Sequence, residues 1–287
     1  MTQKKIQFSI IIPAYNEAES IKGVLLDLKK TLAGKAFEIV VVDDGSQDQT
    51  RQQAESCGVK VLVHNKNKGY GASLKTAIAH AAGEYVLFMD ADGQHSAADA
   101  LLLMNHLANY DMVVGQRLQL IHSPMWRMPG KWFLQSFSNY LTRQKIPDLN
   151  SGLRIIKKEF VSRYMHLCPN GFSFSTTITL ILFNRGYEIE YVPFEIKKRT
   201  GKSTVSIATG FDTLLLVLRL ATLIDPLRVF VPLSFFISLI GLAWGIPYAL
   251  MGNGVSIGAM LAIVTAALMF VLGLISDQIS QMRLEKL

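Results

Sequence analysis

One stretch without charge limits this chain more than any other feature: from Val229 to Ser276 there is no Asp, Glu, Lys or Arg. A spanning helix needs about 20 apolar residues, so the stretch has room for two. Met251-Gly252-Asn253-Gly254 divides it, because glycine and asparagine suit a tight turn and disfavour a continuing helix. The expected spans are 229–250 and 256–276, a helical hairpin. Arg228 precedes the first, and Arg283 and Lys286 follow the second. By the positive-inside tendency both ends then face the cytoplasm. The competing reading is a pair of buried helices in a soluble protein.

The N-terminal sequence Met1-Thr2-Gln3-Lys4-Lys5 leads into a strand pattern with no signal-length apolar core, so the large domain is expected to stay inside. Cys57 and Cys168 sit in unlike settings, which fits free thiols in a reducing compartment and gives no metal-ligand spacing. The formal net charge is +7, and it is unevenly placed. Residues 1–115 sum to −2, residues 116–203 to +9, and the rest to zero. A basic region beside a membrane attracts anionic head groups. The sharper reading is a binding site for a phosphorylated lipid.

Strand and helix patterns alternate through the first 115 residues. Apolar runs at Phe8–Ile12, Phe37–Val42, Val61–Val63 and Tyr85–Met89 read as buried strands, and the stretches near 17–32, 48–56 and 70–82 read as helices. That order predicts an α/β domain with a mostly parallel, doubly wound sheet.

In such sheets ligands collect beyond the carboxyl ends of the strands. Three strands end there in polar segments: "PAYNE" at 13–17, "DDGS" at 43–46 and "DADGQH" at 90–95. Any one of them could be a helix cap, but three in register argue for a shared site. Gathered carboxylates repel unless a cation joins them, and hard oxygen ligands select Mg2+ or Mn2+. Asp90 and Asp92 are therefore expected to hold a divalent ion that in turn holds a diphosphate.

These three segments, with "GQR" at 115–117, "DLNSGLR" at 148–154, "KKRTGKST" at 197–204 and the two spans, resemble the inverting GT-A glycosyltransferases of family 2. Within that family the chain is similar to the dolichyl-phosphate mannose synthase and bacterial polyprenyl-phosphate glycosyltransferase group, over essentially its whole length. The resemblance implies a GT-A catalytic domain and inverting transfer of one sugar from a nucleotide-sugar donor to a polyprenyl phosphate, undecaprenyl or dolichyl. It implies that Pro13, Tyr15, Glu17 and Asp43 line the nucleotide site, and that Asp90, Asp92 and Gln94 serve the metal and diphosphate. Arg117, Arg154, Arg199 and Lys202 match basic positions near the acceptor phosphate or the donor diphosphate; which touches which stays open. The expected place is the inner or plasma membrane, multi-pass, with the catalytic domain cytoplasmic. No nucleic-acid partner is expected, and a homo-oligomer is left open.

Elementary chemistry suits that allocation. A phosphate monoester has its second pKa at about 6, so at cytoplasmic pH it is already a nucleophile. It needs little help from a base. Bringing two anionic phosphates together is harder, and guanidinium groups, which bind phosphate bidentately, would screen them. Many family-2 enzymes acting on sugar hydroxyls carry a carboxylate where this chain reads "GFSFSTT", residues 171–177, which has none. The QxxRW signature of processive synthases is also missing.

The domain division expected is 1–203 catalytic, 204–228 an interfacial helix, and 229–287 the hairpin with a short tail. Ser206–Ile224 is apolar yet carries Asp212 and Arg219, which favours the interface over a third span. Trp126–Gln144 mixes aromatic and basic residues and reads either as a head-group contact or as an ordinary amphipathic helix, with Pro129 and Gly130 interrupting its start. "GKS" at 201–203 lacks the glycine and strand of a P-loop. Two further functions compete: a glycosyltransferase with a lipid-hydroxyl acceptor, using Asp148 or the loop around Ser173 for its base, and a catalytically idle membrane partner of a flippase.

Overall fold

The computed structural model describes residues 6–118, 128–195 and 210–285. Arg199 and Lys202 lie outside them, as do Trp126 and the whole "KKRTGKST" segment. The chain divides into two compact units, Met1–Ile207 and Ala208–Leu287.

The first unit is built on a seven-stranded sheet in the order β3-β2-β1-β4-β6-β5-β7. Its strands are β1 (Phe8–Ala14), β2 (Phe37–Asp43), β3 (Lys60–Val63), β4 (Tyr85–Phe88), β5 (Met112–Arg117), β6 (Arg154–Lys157) and β7 (Ile189–Phe194). β1 is central and buried almost throughout, as a continuous apolar run must be when helices cover both faces. The helices are α1 (Ile21–Thr31), α2 (Thr50–Ser56), α3 (Tyr70–His80), α4 (Ala97–His106), α5 (Met128–Thr142), α6 (Lys158–Tyr164) and α7 (Phe174–Asn184). α1 buries Ile21, Val24, Leu25 and Leu28, spaced three and four apart, against the sheet. α5 starts at Met128, so Pro129 and Gly130 lie inside its first turn rather than breaking it. Proline is tolerated there because that N–H would have no helical partner.

The four strands β3, β2, β1 and β4 run parallel, as do β5 and β7. β6 is antiparallel to both of its neighbours, pairing Arg154 with Phe88 of β4 and with Val114 of β5. The sheet is therefore mixed. This one reversed strand decides the geometry of the site: the residues entering β6 lie at the same edge as those leaving β4 and β5. Residues 148–153 are thereby brought beside Asp90 and Arg117.

The second unit holds α8 (Gly210–Ile224), α9 (Leu227–Leu250) and α10 (Ile257–Glu285). α9 and α10 are long and apolar enough to cross a membrane, with mean hydropathies of 2.1 and 2.5. Between them Gly252 and Gly254 take φ of 79° and 77°, which glycine adopts at little cost. Small residues let the two helices meet closely: Gly241 lies against the Ala259 carbonyl, Gly245 against the Ala259 methyl, and Gly273 against Phe230. Large side chains such as Phe235, Phe236 and Trp244 point outward and are exposed. A soluble core helix hides such residues, whereas a lipid-facing one displays them. α8 is tied to α10 by a hydrogen bond from the Ser280 hydroxyl to the Leu223 carbonyl at 2.6 Å.

Candidate active site

The ends of β1 and β2 are stitched together by side chains. Asn16 has φ 55°, a conformation asparagine tolerates, and this turns its backbone toward the next loop. Its N–H donates to the Ser46 hydroxyl at 3.0 Å, and its side-chain carbonyl accepts from the Gln47 N–H at 2.8 Å. The Glu17 N–H donates to the Thr50 hydroxyl at 2.8 Å, and the Ala18 N–H to Asp48 at 3.1 Å. Burial would raise the Asp48 carboxyl, but bonds from Thr50 and Ala18 outweigh it and hold its pKa below the usual range. Pro13 and Tyr15, both half-buried, belong to the same stitched edge.

Asp43 is buried at the last position of β2, where one carboxylate oxygen accepts the Ser46 N–H at 3.1 Å. Its neighbour Asp44, which the motif reading passed over, does more to shape the loops. Its carboxylate faces His64 Nδ1 at 2.6 Å and accepts the N–H groups of Lys68 at 2.9 Å and Gly69 at 2.8 Å. An ionised carboxylate can only accept, so the imidazole donates to it. His64 Nε2 meets the Thr76 hydroxyl at 2.9 Å. This network fixes the segment from 66 to 69 against "DDGS". A side chain at Gly45 would sit 2.8 Å from the Lys66 backbone carbon. Only the doubled aspartate hinted at this; His64 is too distant in sequence to have been paired with it.

β4 delivers the central carboxylates. Asp92 is buried, and its carboxylate accepts the Gln94 N–H at 3.1 Å across a turn in which Gly93 has φ 74°. Gln94 is half-buried beside it, and His95 is buried with its ring 5.5 Å from that of Phe194. Asp90 is half-exposed. Gly152, on the strand entry that β6 reverses, touches it: a Cβ there would lie 2.6 Å from one carboxylate oxygen and 3.1 Å from the other. The glycine of "DLNSGLR" thus makes room for Asp90.

Arg117, at the end of β5, grips Asp148 with two parallel bonds of 2.6 and 2.7 Å. Asp148 also accepts the backbone N–H of Arg117 at 3.3 Å and of Asn150 at 3.2 Å. Burial would raise the Asp148 carboxyl, yet the Arg117 hydrogen bonds and charge prevail and lower its pKa. Conversely, the bond to Asp148 raises the Arg117 pKa, and the charge of Asp90 acts in the same direction.

Arg154 is fully buried on β6. Its guanidinium donates to the Ser175 carbonyl at 2.8 Å, to the Thr179 hydroxyl at 2.6 Å and to the Ser151 carbonyl. Burial lowers its pKa, against the charges of Asp148 and Asp90. The other expected basic residues, Arg199 and Lys202, lie outside the described residues. The structure thus brings Asp90 within electrostatic reach of both Arg117 and Arg154, and places Asp43 on the stitched edge formed by β1 and β2. Cys168 is buried, its thiol pushed up to about 12 by desolvation, so it is an inert packing residue.

Among the described residues no group of three or more His, Cys, Asp or Glu side chains converges on a metal site. Among those residues an all-protein cage is therefore not built. Two carboxylates from one strand end, Asp90 and Asp92, suit Mg2+ or Mn2+, which take one or two carboxylates and complete their shell with substrate phosphates.

Comparison with known proteins agrees with this arrangement. The family model described as glycosyl transferase family 2 matches residues 9–165, and the GtrB C-terminal hairpin model matches residues 225–282. The chain is 29% identical to glycosyltransferase AglJ of Haloferax volcanii, over 97% of this chain and 95% of that one. It is 29% identical to the dolichol-phosphate mannosyltransferase of Pyrococcus furiosus, over 75% of this chain and 64% of that one. Identity to the dolichyl-phosphate beta-glucosyltransferase of Saccharomyces cerevisiae is 23%, over 78% of each chain. The fold is shared with glucosyl-3-phosphoglycerate synthase of Mycobacterium tuberculosis, solved with Mn2+, UDP and phosphoglyceric acid. Their TM-score is 0.61 and identity 18%, over 75% of this chain and 78% of that one. The resemblance drawn from the motifs is borne out, as are the GT-A fold and the apolar hairpin, which marks a membrane-associated protein. With its strand-end motifs and its whole parallel half inside the matched region, the chain belongs to glycosyl transferase family 2.

Proposed function

We propose that this glycosyltransferase moves one sugar, with inversion, from a nucleotide-sugar donor to a polyprenyl phosphate at the cytoplasmic face of the membrane. The observation that carries the reading is the pairing of Arg117 with Asp148 within electrostatic reach of Asp90. A guanidinium suited to phosphate stands beside the strand end that would receive the donor diphosphate. The carboxylate next to it is neutralised and held ionised by that same arginine. Asp148 is thus a poor base for a hydroxyl acceptor, and a phosphate acceptor needs none.

In this reading Pro13, Tyr15, Glu17 and Asp43 face the nucleotide, and Asp90, Asp92 and Gln94 would hold Mg2+ or Mn2+. That ion would supply Lewis-acid stabilisation of the departing diphosphate. Arg117 receives the acceptor phosphate, and Arg199 and Lys202 are assigned there on the sequence motif alone. Arg154, with no surface open to solvent, is assigned the part of a fixed counter-charge behind Asp90. The names of the Pyrococcus and Saccharomyces relatives support the dolichyl-type acceptor, and the GtrB hairpin match supports a membrane anchor beside it. Positive residues flanking the spans support the cytoplasmic placement.

The test is to incubate the purified full-length protein with Mn2+, polyprenyl phosphate and a panel of nucleotide sugars, and to weigh the lipid product by mass spectrometry. One added hexose on the lipid phosphate, released by mild acid, is the expected result. An acid-stable lipid glycoside, or turnover unchanged in Asp92→Ala, would defeat the reading.

A further inference from the structure

Tyr70 opens α3 directly after the segment that Asp44 clamps, and its ring stacks on Phe172 at 5.4 Å with 21° between the planes. The segment carrying Phe172 is docked on the same helix. The Ala72 N–H donates to the Asn170 carbonyl at 3.0 Å, and Lys75 donates to the Cys168 carbonyl at 2.6 Å and the Asn170 side chain at 2.9 Å. Both aromatic planes are thereby fixed. The ring is half-exposed, but its hydroxyl is buried and makes no hydrogen bond of ordinary geometry. Around that oxygen lie Asp90, Ser175 and Arg154. The Ser175 hydroxyl and Arg154 Nε are likewise buried without partners.

A buried hydroxyl left unpaired is costly, and native interiors rarely keep one without a purpose. A phenol is protonated at physiological pH, so the group is available as a donor. Of its neighbours, Arg154 can only donate, Ser175 is a neutral hydroxyl, and Asp90 is the one anion and so the strongest acceptor. Gly152 closes on the Asp90 carboxylate, leaving no space for even a methyl group. Asp90 therefore cannot swing toward Gly152. Carboxylates that bind metals are commonly aimed by a second hydrogen-bonded group behind them, and losing that group weakens the metal by about 10–100-fold.

We propose that Tyr70 is a positioning residue for Asp90: its buried hydroxyl donates to the carboxylate and, with Gly152, fixes the direction in which that carboxylate is presented to the divalent ion. The proposal rests on the reading of Asp90 as a metal ligand given above.

Mn2+ binding to the full-length protein in detergent, followed by electron paramagnetic resonance, tests it in three variants alongside thermal midpoints. Tyr70→Phe removes one oxygen that makes no hydrogen bond of ordinary geometry, keeps the ring on Phe172, and should fold normally while binding Mn2+ about tenfold more weakly. Phe172→Ala removes the stacking and leaves the hydroxyl, and should bind Mn2+ within about twofold of the native protein. Asp90→Asn should bind it least. If Asp90→Asn is weakened but Tyr70→Phe is not, the positioning role is overturned and the metal reading stands. Equal weakening in Phe172→Ala and Tyr70→Phe assigns the effect to packing and also overturns the proposal. Native affinity in Asp90→Asn overturns the metal reading, and the proposal with it.

Discussion

Arg117 and Asp148 come from segments that a single antiparallel strand brings to one edge, and they form a two-pronged ion pair with N–O distances of 2.6 and 2.7 Å. Removing Asp148 frees the guanidinium to rotate. Asp148→Ala is expected to lower stability by about 1–3 kcal/mol, because a partly buried charge loses its partner. It should also reduce kcat/KM for the acceptor by at least about tenfold, equivalent to 1.4 kcal/mol of transition-state stabilisation. Steady-state kinetics with acceptor varied, and chemical denaturation, check the two effects separately.

The pair also sets an acid limb. The folded Asp148 pKa lies below its ordinary value of about 3.9, so its stabilising contribution is fully present above that value. It is lost as pH falls through the lower folded pKa. The difference in thermal midpoint between the native protein and Asp148→Asn should hold steady above about pH 5 and shrink below about pH 3. A difference that grew on acidification would contradict the sign.

Gly152→Ala places a methyl carbon where 2.6 Å separates it from an Asp90 oxygen. The strand entry is held on the β5 side by the Gly115 N–H donating to the Leu153 carbonyl at 2.9 Å, so the carboxylate is the part expected to move. Turnover should fall at least about a hundredfold, the scale at which misplacing a reacting group by about 1 Å acts. Nucleotide affinity, measured by titration calorimetry, should change much less.

Asp44→Ala would strip an acceptor from His64, Lys68 and Gly69 at once. With buried donors left unmet, a loss of about 3 kcal/mol is expected, together with a raised KM for the nucleotide sugar. Urea denaturation of the native and variant proteins in matched detergent measures the first.

In the hairpin, Gly273→Leu would drive a side chain into Phe230, since even a Cβ would approach it to 2.6 Å. Close packing, not hydrophobicity, holds helices together in lipid. The variant should therefore show a lower midpoint for helix-pair unfolding in detergent while keeping its helical content by circular dichroism.

The parallel half of the sheet was legible because buried parallel strands are unbroken apolar runs, and its acidic ends stood out against them. Asp43, Asp90 and Asp92 were singled out for that reason. β6 was not legible: Arg154-Ile155-Ile156-Lys157 is short, opens on a cation, and lies away from its sheet partners in sequence. Missing the reversal hid the contacts between Gly152 and Asp90 and between Arg117 and Asp148, although "GQR" and "DLNSGLR" were recognised as motifs. The Asp44–His64–Thr76 network was hidden because each member is unremarkable locally and they meet only through the fold. The hairpin was the easiest element to read, as its signal is composition alone. α9 nevertheless begins at Leu227 and α10 runs on to Glu285, both beyond the charge-free limits, since a helix does not end where lipid does.

The cross-links from Asn16 to Ser46 and Gln47, and from Glu17 and Ala18 to Thr50 and Asp48, tie the two strand-end loops directly to each other. In the proposed function, a donor landing on that edge would have few loops to freeze, so the heat of its binding should reflect the contacts it makes, with a small heat-capacity change. Selectivity among donors would then depend on shape complementarity to a rigid rim, which a few substitutions could retune without redesigning the rest of the enzyme.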